Sequence, residues 1–194
     1  MPTIVANGNN LYYEVHGHGP LRVLIPGLGY NGWMWHKMMP GLAEKFQVIS
    51  IDNRGSGLSD KPPGPYTAQM LAADVIGLLD AFDVRQAHIV GHSMGGRAAV
   101  RLIDHPAVLG VVGLAPWLPL GEPLGNVAGR WLLIAHGDAD RTTYPEVSLD
   151  FVERARAAGA RATHVIVASE GHALMRNPRW WNRYIIDSVV EILS

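Results

Sequence analysis

The stretch Ala87-His88-Ile89-Val90-Gly91-His92-Ser93-Met94-Gly95-Gly96 decides how this chain reads. Ala87 to Val90 is a short apolar run suited to a buried strand, and Met94 to Asp104 carries helical spacing, so the serine sits on a strand-to-helix turn. A turn that sharp forces its central residue to positive φ and tolerates only small neighbours where backbone and helix approach. Gly91 and Gly95 meet that need. The five letters GxSxG are weak by themselves in a chain with 22 glycines. Their placement between strand and helix, with Gly96 following, gives them weight.

The pattern around this turn repeats. Apolar runs at 22–25, 47–51, 87–90, 108–114, 131–135 and 163–168 alternate with helical segments at 33–44, 67–82, 94–104, 146–158 and 179–193. Strands joined by such crossovers make a parallel sheet covered on both faces. Two further runs, 3–6 and 11–15, flank the turn residues Asn7-Gly8-Asn9-Asn10 and predict a hairpin, giving a mostly parallel sheet of about eight strands. Thr67 is placed to cap its helix and Pro178 suits the first turn of the last one, whose Trp180, Trp181, Tyr184 and Ile185 form a stripe expected to pack on the sheet. No repeat or linker divides the chain, so residues 1–194 read as one α/β domain.

Composition narrows the function classes. Sixteen basic against 17 acidic side chains give a net charge of −1, with no basic block to mark a nucleic-acid or acidic-membrane partner. No cysteine is present, so disulfides, thiolate metal sites and a cysteine nucleophile are excluded. The isolated His16-Gly17-His18 has no third ligand nearby, and no metal or cofactor is expected. The segment MPTIVANGNN lacks the basic and apolar regions of a leader, and 108–120 is broken by Pro116 and Pro119; the expectation is a soluble, cytoplasmic chain. Oligomeric state is not legible.

A serine hydroxyl needs a base to accept its proton and a carboxylate to hold that base in one tautomer. The strand order puts Ser93 at the carboxyl edge of the sheet, where open α/β sheets bind ligands. Among nine histidines, His172 in Glu170-Gly171-His172 follows the last strand and emerges at the same edge. His92 adjoins Ser93, and its side chain is expected to point elsewhere. The loop His136-Gly137-Asp138-Ala139-Asp140 offers two carboxylates.

Three motifs together resemble the α/β-hydrolase fold family: Gly91-His92-Ser93-Met94-Gly95-Gly96, Ile25-Pro26-Gly27-Leu28-Gly29, and the stretch from Asp52 to Asp60, read as scaffold with a possible Asp52–Arg54 pair. The resemblance implies Ser93 as nucleophile, His172 as base and Asp140 as the acid, with Asp138 the alternative. It implies an oxyanion hole from the backbone N–H groups of Leu28 and Met94. Relatives commonly carry a histidine where this chain has Pro26, so another group must orient that loop. Many relatives also insert a helical cap after the sixth strand. Here only 117–129 is available, interrupted by Pro119, Pro123 and three glycines, so no cap and an open site are expected.

The resemblance therefore implies a serine hydrolase acting on small carboxylic esters, its small-molecule partner. Trp33 and Trp117 are candidate substrate contacts, and Met34 and Trp35 are either contacts or core. Lactone, thioester or carbon–carbon bond hydrolysis and perhydrolysis use the same residues, and a weakly active ligand-binding protein is the alternative of another class.

Overall fold

In the structure, a computed structural model, residues 1–173 are described. The Asn7-Gly8 pair takes positive φ at both positions, 48° and 75°, and joins β1 (Thr3–Ala6) to β2 (Asn9–His16) in a two-residue hairpin. The chain then runs through β3 (Leu21–Ile25), a 3-10 turn (Gly32–Trp35), α1 (Met39–Ala43), β4 (Gln47–Ile51) and α2 (Ala68–Ala81). It continues with β5 (Ala87–His92), α3 (Met94–Val100), β6 (Val108–Leu114), β7 (Trp131–Gly137), α4 (Pro145–Ala157) and β8 (Arg161–Val167).

These strands form one eight-stranded sheet in the order β1-β2-β4-β3-β5-β6-β7-β8, parallel from β4 to β8 with the hairpin antiparallel at the edge. Successive residues of the central strands feed two cores. Val23, Ile49, Ile89, Val111 and Leu132 pack beneath α2, α3 and α4, while Leu24, Val48, Val90, Val112 and Leu133 pack with Trp35, Leu42 and Phe46 on the other face. Burial on both faces is why the strands read as continuous apolar runs rather than as alternation.

Two expected helices are shorter than their spacing suggests. Segment 33–44 splits into the 3-10 turn and α1, because Pro40 has no N–H and its ring would clash with the preceding turn of a continuous helix. The α3 helix stops at Val100 and continues in i→i−3 bonds from Leu102, Ile103 and His105, ahead of Pro106, which disfavours helical geometry at His105. The Thr67 cap forms, with Oγ1 accepting from the Met70 N–H at 3.2 Å. The helix expected over 179–193, with Pro178 and the Trp180 stripe, lies outside the described residues. No helix among the described residues is long and apolar enough to cross a membrane.

Between β6 and β7 the chain has neither helix nor strand, so this crossover supplies no cap domain to the carboxyl edge. This crossover is tied down instead. Glu122, fully buried, lies 2.7 Å from Arg97 and 2.6 Å from Arg101, both on or just beyond α3, and its carbonyl accepts from Arg154. Arg154 also pairs with Asp150, and Arg156 donates to the Ala162 carbonyl.

The interior holds neutral histidines. Burial pushes His88 and His92 down to about 4 from the ordinary 6.5, with the Arg22 charge adding to the effect at His88. An unfolded chain takes up these protons near pH 6.5, whereas the fold resists them until near pH 4. The stability these two histidines leave intact is therefore complete above pH 6.5 and lost as pH falls towards 4. Thermal unfolding followed by circular dichroism should show a midpoint that declines steadily across that window; a flat midpoint would contradict the burial.

Candidate active site

The elbow is built by close backbone approach. Ser93 sits at φ 54°, ψ −118°, between β5 and α3. A Cβ on Gly91 would meet the Gly95 carbonyl oxygen at 2.2 Å, and one on Gly95 would meet the carbonyl oxygens of Ile25 and Pro26 at 2.4 Å. Neither position can accept a side chain without moving backbone. The Ser93 N–H donates to the Leu114 carbonyl, and its own carbonyl accepts from Arg97 and Trp117. The strained residue is therefore held on both sides by β6 and its exit loop.

His172 Nε2 lies 3.0 Å from Ser93 Oγ, and its Nδ1 lies 2.9 Å from Asp140 Oδ2. Burial alone would push the Asp140 carboxyl up. Hydrogen bonds from the Thr143 hydroxyl, His172 and the backbone N–H groups of Thr142 and Thr143 outweigh it and hold the carboxyl down to about 2. An ionised carboxylate only accepts, so Nδ1 carries the neutral imidazole's proton and Nε2 is left to accept from the serine. Asp138, the alternative acid, turns away and accepts from the Ser169 N–H at 2.6 Å. Ser93, His172 and Asp140 are thus brought together within hydrogen-bond distance.

The candidate oxyanion loop runs alongside. A Cβ on Gly27 would lie 3.2 Å from Ser93 Cβ, which places the Pro26-Gly27-Leu28 turn against the elbow, while Met94 opens α3 with an N–H that no preceding helical turn can use. The orienting group that Pro26 cannot supply is Asn53, whose buried amide donates to the Pro26 carbonyl at 2.7 Å. Asp52 extends the brace, accepting from the N–H groups of Gly32 and Leu58 at 2.7 and 2.8 Å. The expected Asp52–Arg54 pair does not form. Asp52 is occupied by backbone, and Arg54 turns inward to Asp74 on α2, donating through Nε at 2.6 Å.

Four other expectations are corrected or sharpened. Trp35 is core, 2% exposed, and Met34 packs against the same cluster. Trp33 is exposed and stacks on His36, in a hollow lined by Tyr12, Glu14, Ser50, Asp52 and Leu58 that includes none of Ser93, Asp140 and His172. Trp117 is half exposed, and its N–H bonds the Ser93 carbonyl, so of the two candidate contacts only this one adjoins the serine. His92 does point away from Ser93 Oγ, but towards the site: its Nε2 lies 2.9 Å from the His172 carbonyl, and as a neutral ring it donates there.

Sequence reasoning missed Thr143 and His136. Thr143 Oγ1 donates to Asp140 Oδ2 at 2.7 Å and lies 3.1 Å from His172 Nδ1. Its signal was present in the spacing, since an aspartate commonly accepts from N–H groups two and three residues on, as Asp140 Oδ1 does from Thr142 and Thr143. His136, fully buried at the end of β7, reaches the same carboxylate. Only the fold reveals that contact.

This sheet, elbow and site define an α/β hydrolase. A family model described as the alpha/beta hydrolase fold matches residues 21–153, and the chain belongs to that family. Among curated proteins, one named "Putative carbamate hydrolase RutD" from Caulobacter segnis is 38% identical over 109 residues, covering 53% of this chain and 41% of that protein. The match thus spans about two fifths of the length of that relative. Among solved structures, the enol-lactonase from Burkholderia xenovorans LB400 superposes with a TM-score of 0.83 at 21% identity, covering 99% of both chains. A thermophilic esterase from Thermogutta terrifontis superposes at 0.82 with 16% identity, covering 99% of this chain and 97% of that one. At these identities the likeness is one of fold.

Proposed function

We propose that this hydrolase cleaves small carboxylic esters through an acyl-enzyme on Ser93. The observation that carries the reading is the continuous hydrogen-bonded line from Ser93 Oγ through His172 to Asp140. Ser93 attacks the ester carbonyl while His172 Nε2 takes its proton, and Asp140 stabilises the imidazolium that forms. The N–H groups of Met94 and Leu28 receive the oxyanion, a role in which one lost donor typically costs about 2.7 to 4 kcal/mol. Collapse expels the alcohol with the proton from His172, and water, activated by the same base, releases the acid. No step calls for a cofactor.

Small esters are favoured because the short crossover, pinned by Glu122, leaves the serine without a cover that would enclose a long substrate. Trp117, whose backbone N–H meets the Ser93 carbonyl, and Leu28, which follows Gly27, carry exposed apolar side chains that would rest against the acyl or alcohol group. Carbamate hydrolysis is a second reading, favoured by the names of the curated relatives. It uses the same residues, with a carbamoyl-enzyme in place of the acyl-enzyme.

The test is intact-protein mass spectrometry after treatment with a fluorophosphonate, beside rates on p-nitrophenyl acetate, butyrate and an N-unsubstituted carbamate ester. One adduct with fast ester turnover is the expected result. One adduct with preferential carbamate turnover would favour the second reading. A folded protein that takes no adduct would refute both.

A further inference from the structure

Asp140 is met by two histidines rather than one. His136 Nε2 lies 3.1 Å from Asp140 Oδ2, the oxygen that also faces His172 Nδ1 at 2.9 Å and Thr143 Oγ1 at 2.7 Å. The tautomer of His136 follows from its surroundings. Near Nε2 stand the Asp140 carboxylate and the Thr143 carbonyl, both acceptors, so Nε2 carries the proton; Nδ1 then accepts from Ser148 Oγ at 2.9 Å. Burial lowers the affinity of the ring for a second proton, which keeps His136 a neutral donor.

We propose that His136 is a positioning residue of the Ser93 site: its Nε2–H locks the Asp140 carboxylate with Oδ2 towards His172 and takes up part of that oxygen's negative charge. The inference rests on the reading of Ser93, His172 and Asp140 as the reacting set. Oδ1 is fixed by two backbone N–H groups and Oδ2 by the side chains of His136 and Thr143, so the acid arrives oriented before any substrate binds. The shared charge has a consequence for the base. Each added donor weakens the pull of Oδ2 on the His172 proton, so losing the His136 donor strengthens that pull and makes the imidazole easier to protonate. Among the described residues, His92 from β5 and His164 from β8 also face this cluster; burial holds both near 4, so neither adds charge near neutral pH.

The decisive experiment compares His136→Leu with His136→Gln, whose amide nitrogen reaches about as far as Nε2. In His136→Leu we expect kcat to fall about tenfold with KM within twofold, and the acidic limb of the kcat/KM profile to move up by about half to one pH unit, the scale of one hydrogen bond. In His136→Gln both should return most of the way. A folded leucine variant with unaltered rate and limb overturns the inference, as does a rate loss that leaves the limb in place and that glutamine does not repair. Nitrogen-15 NMR of the unmodified protein decides independently of folding in the variants: a protonated Nε2 and bare Nδ1 on His136 are expected, and the opposite tautomer sinks the proposal. Failure of the Ser93 reading is seen separately, as absence of the phosphonate adduct on the wild-type protein.

Discussion

Ser93→Ala is expected to remove the phosphonate adduct and to lower ester turnover by about a million-fold in kcat, the scale seen when a triad acts as one unit. The structure predicts that this loss comes without unfolding. Alanine keeps the Cβ, so the backbone strain at φ 54° is unchanged, and among the described residues the side-chain bond lost is that to His172. The free energy of unfolding should stay within about 0.5 kcal/mol of wild type. Asp140→Asn offers a contrast at the other end of the line. An amide that keeps the two backbone bonds must present its NH2 group to His172, which reverses the tautomer, and a loss of about ten-thousand-fold is expected. Turnover that survives Ser93→Ala would remove the serine from the chemistry altogether.

The largest effect on stability is expected at Asp74→Ala. Arg54 and Asp74 are 5% and 3% exposed at their side chains, paired bidentately through Nε and Nη2 of the guanidinium, and Asn7 donates to the same carboxylate at 3.1 Å. Removing the carboxylate strands a buried guanidinium, at a cost of about 3–5 kcal/mol. For a chain of this length the thermal midpoint should fall by about 10 °C. The double variant Asp74→Leu with Arg54→Met should regain most of the loss, because well-packed apolar groups avoid the desolvation that the ion pair has to offset. If the single variant were unchanged in thermal scans, the pair would be solvated and not part of the core. Its position gives the loss a second face: Arg54 follows Asn53, the residue that holds the Pro26 carbonyl, so ester turnover should decline in the folded fraction as well.

The strands and the elbow were legible because they depend on neighbours in the chain. Thr3–Ala6, Gln47–Ile51 and Val108–Leu114 match their expected bounds residue for residue; the last two lie inside the sheet and are mostly apolar because both faces are covered, while the first is an edge strand whose end is set by the Asn7-Gly8 turn. Helix ends were less legible where a proline competed with the spacing, as at Pro40 and Pro106. Ser93 and His172 stood out by their places at the carboxyl ends of strands, whereas the loop after β7 offered Asp138 and Asp140 alike and only the resemblance to the α/β-hydrolase fold implied Asp140. Trp33 and Trp35 show where that reasoning stops: proximity in sequence to the Pro26-Gly27-Leu28 turn said nothing about which way each indole faces, and one is core while the other lies beside a separate hollow.

The amino-acid sequence by itself determined the sheet, the crossovers and the elbow that carries Ser93, because hydrophobic periodicity and glycine-enforced turns are local properties written into short stretches. Only the tertiary structure decided which partner each buried polar group takes. Arg54 chose Asp74 over Asp52, Asn53 took the Pro26 carbonyl, Glu122 closed on two arginines, and His136 reached the acid that His172 also uses. The physical reason is that a buried donor or acceptor must be satisfied by whatever the completed fold brings within about 3 Å, and that neighbour can lie anywhere along the chain.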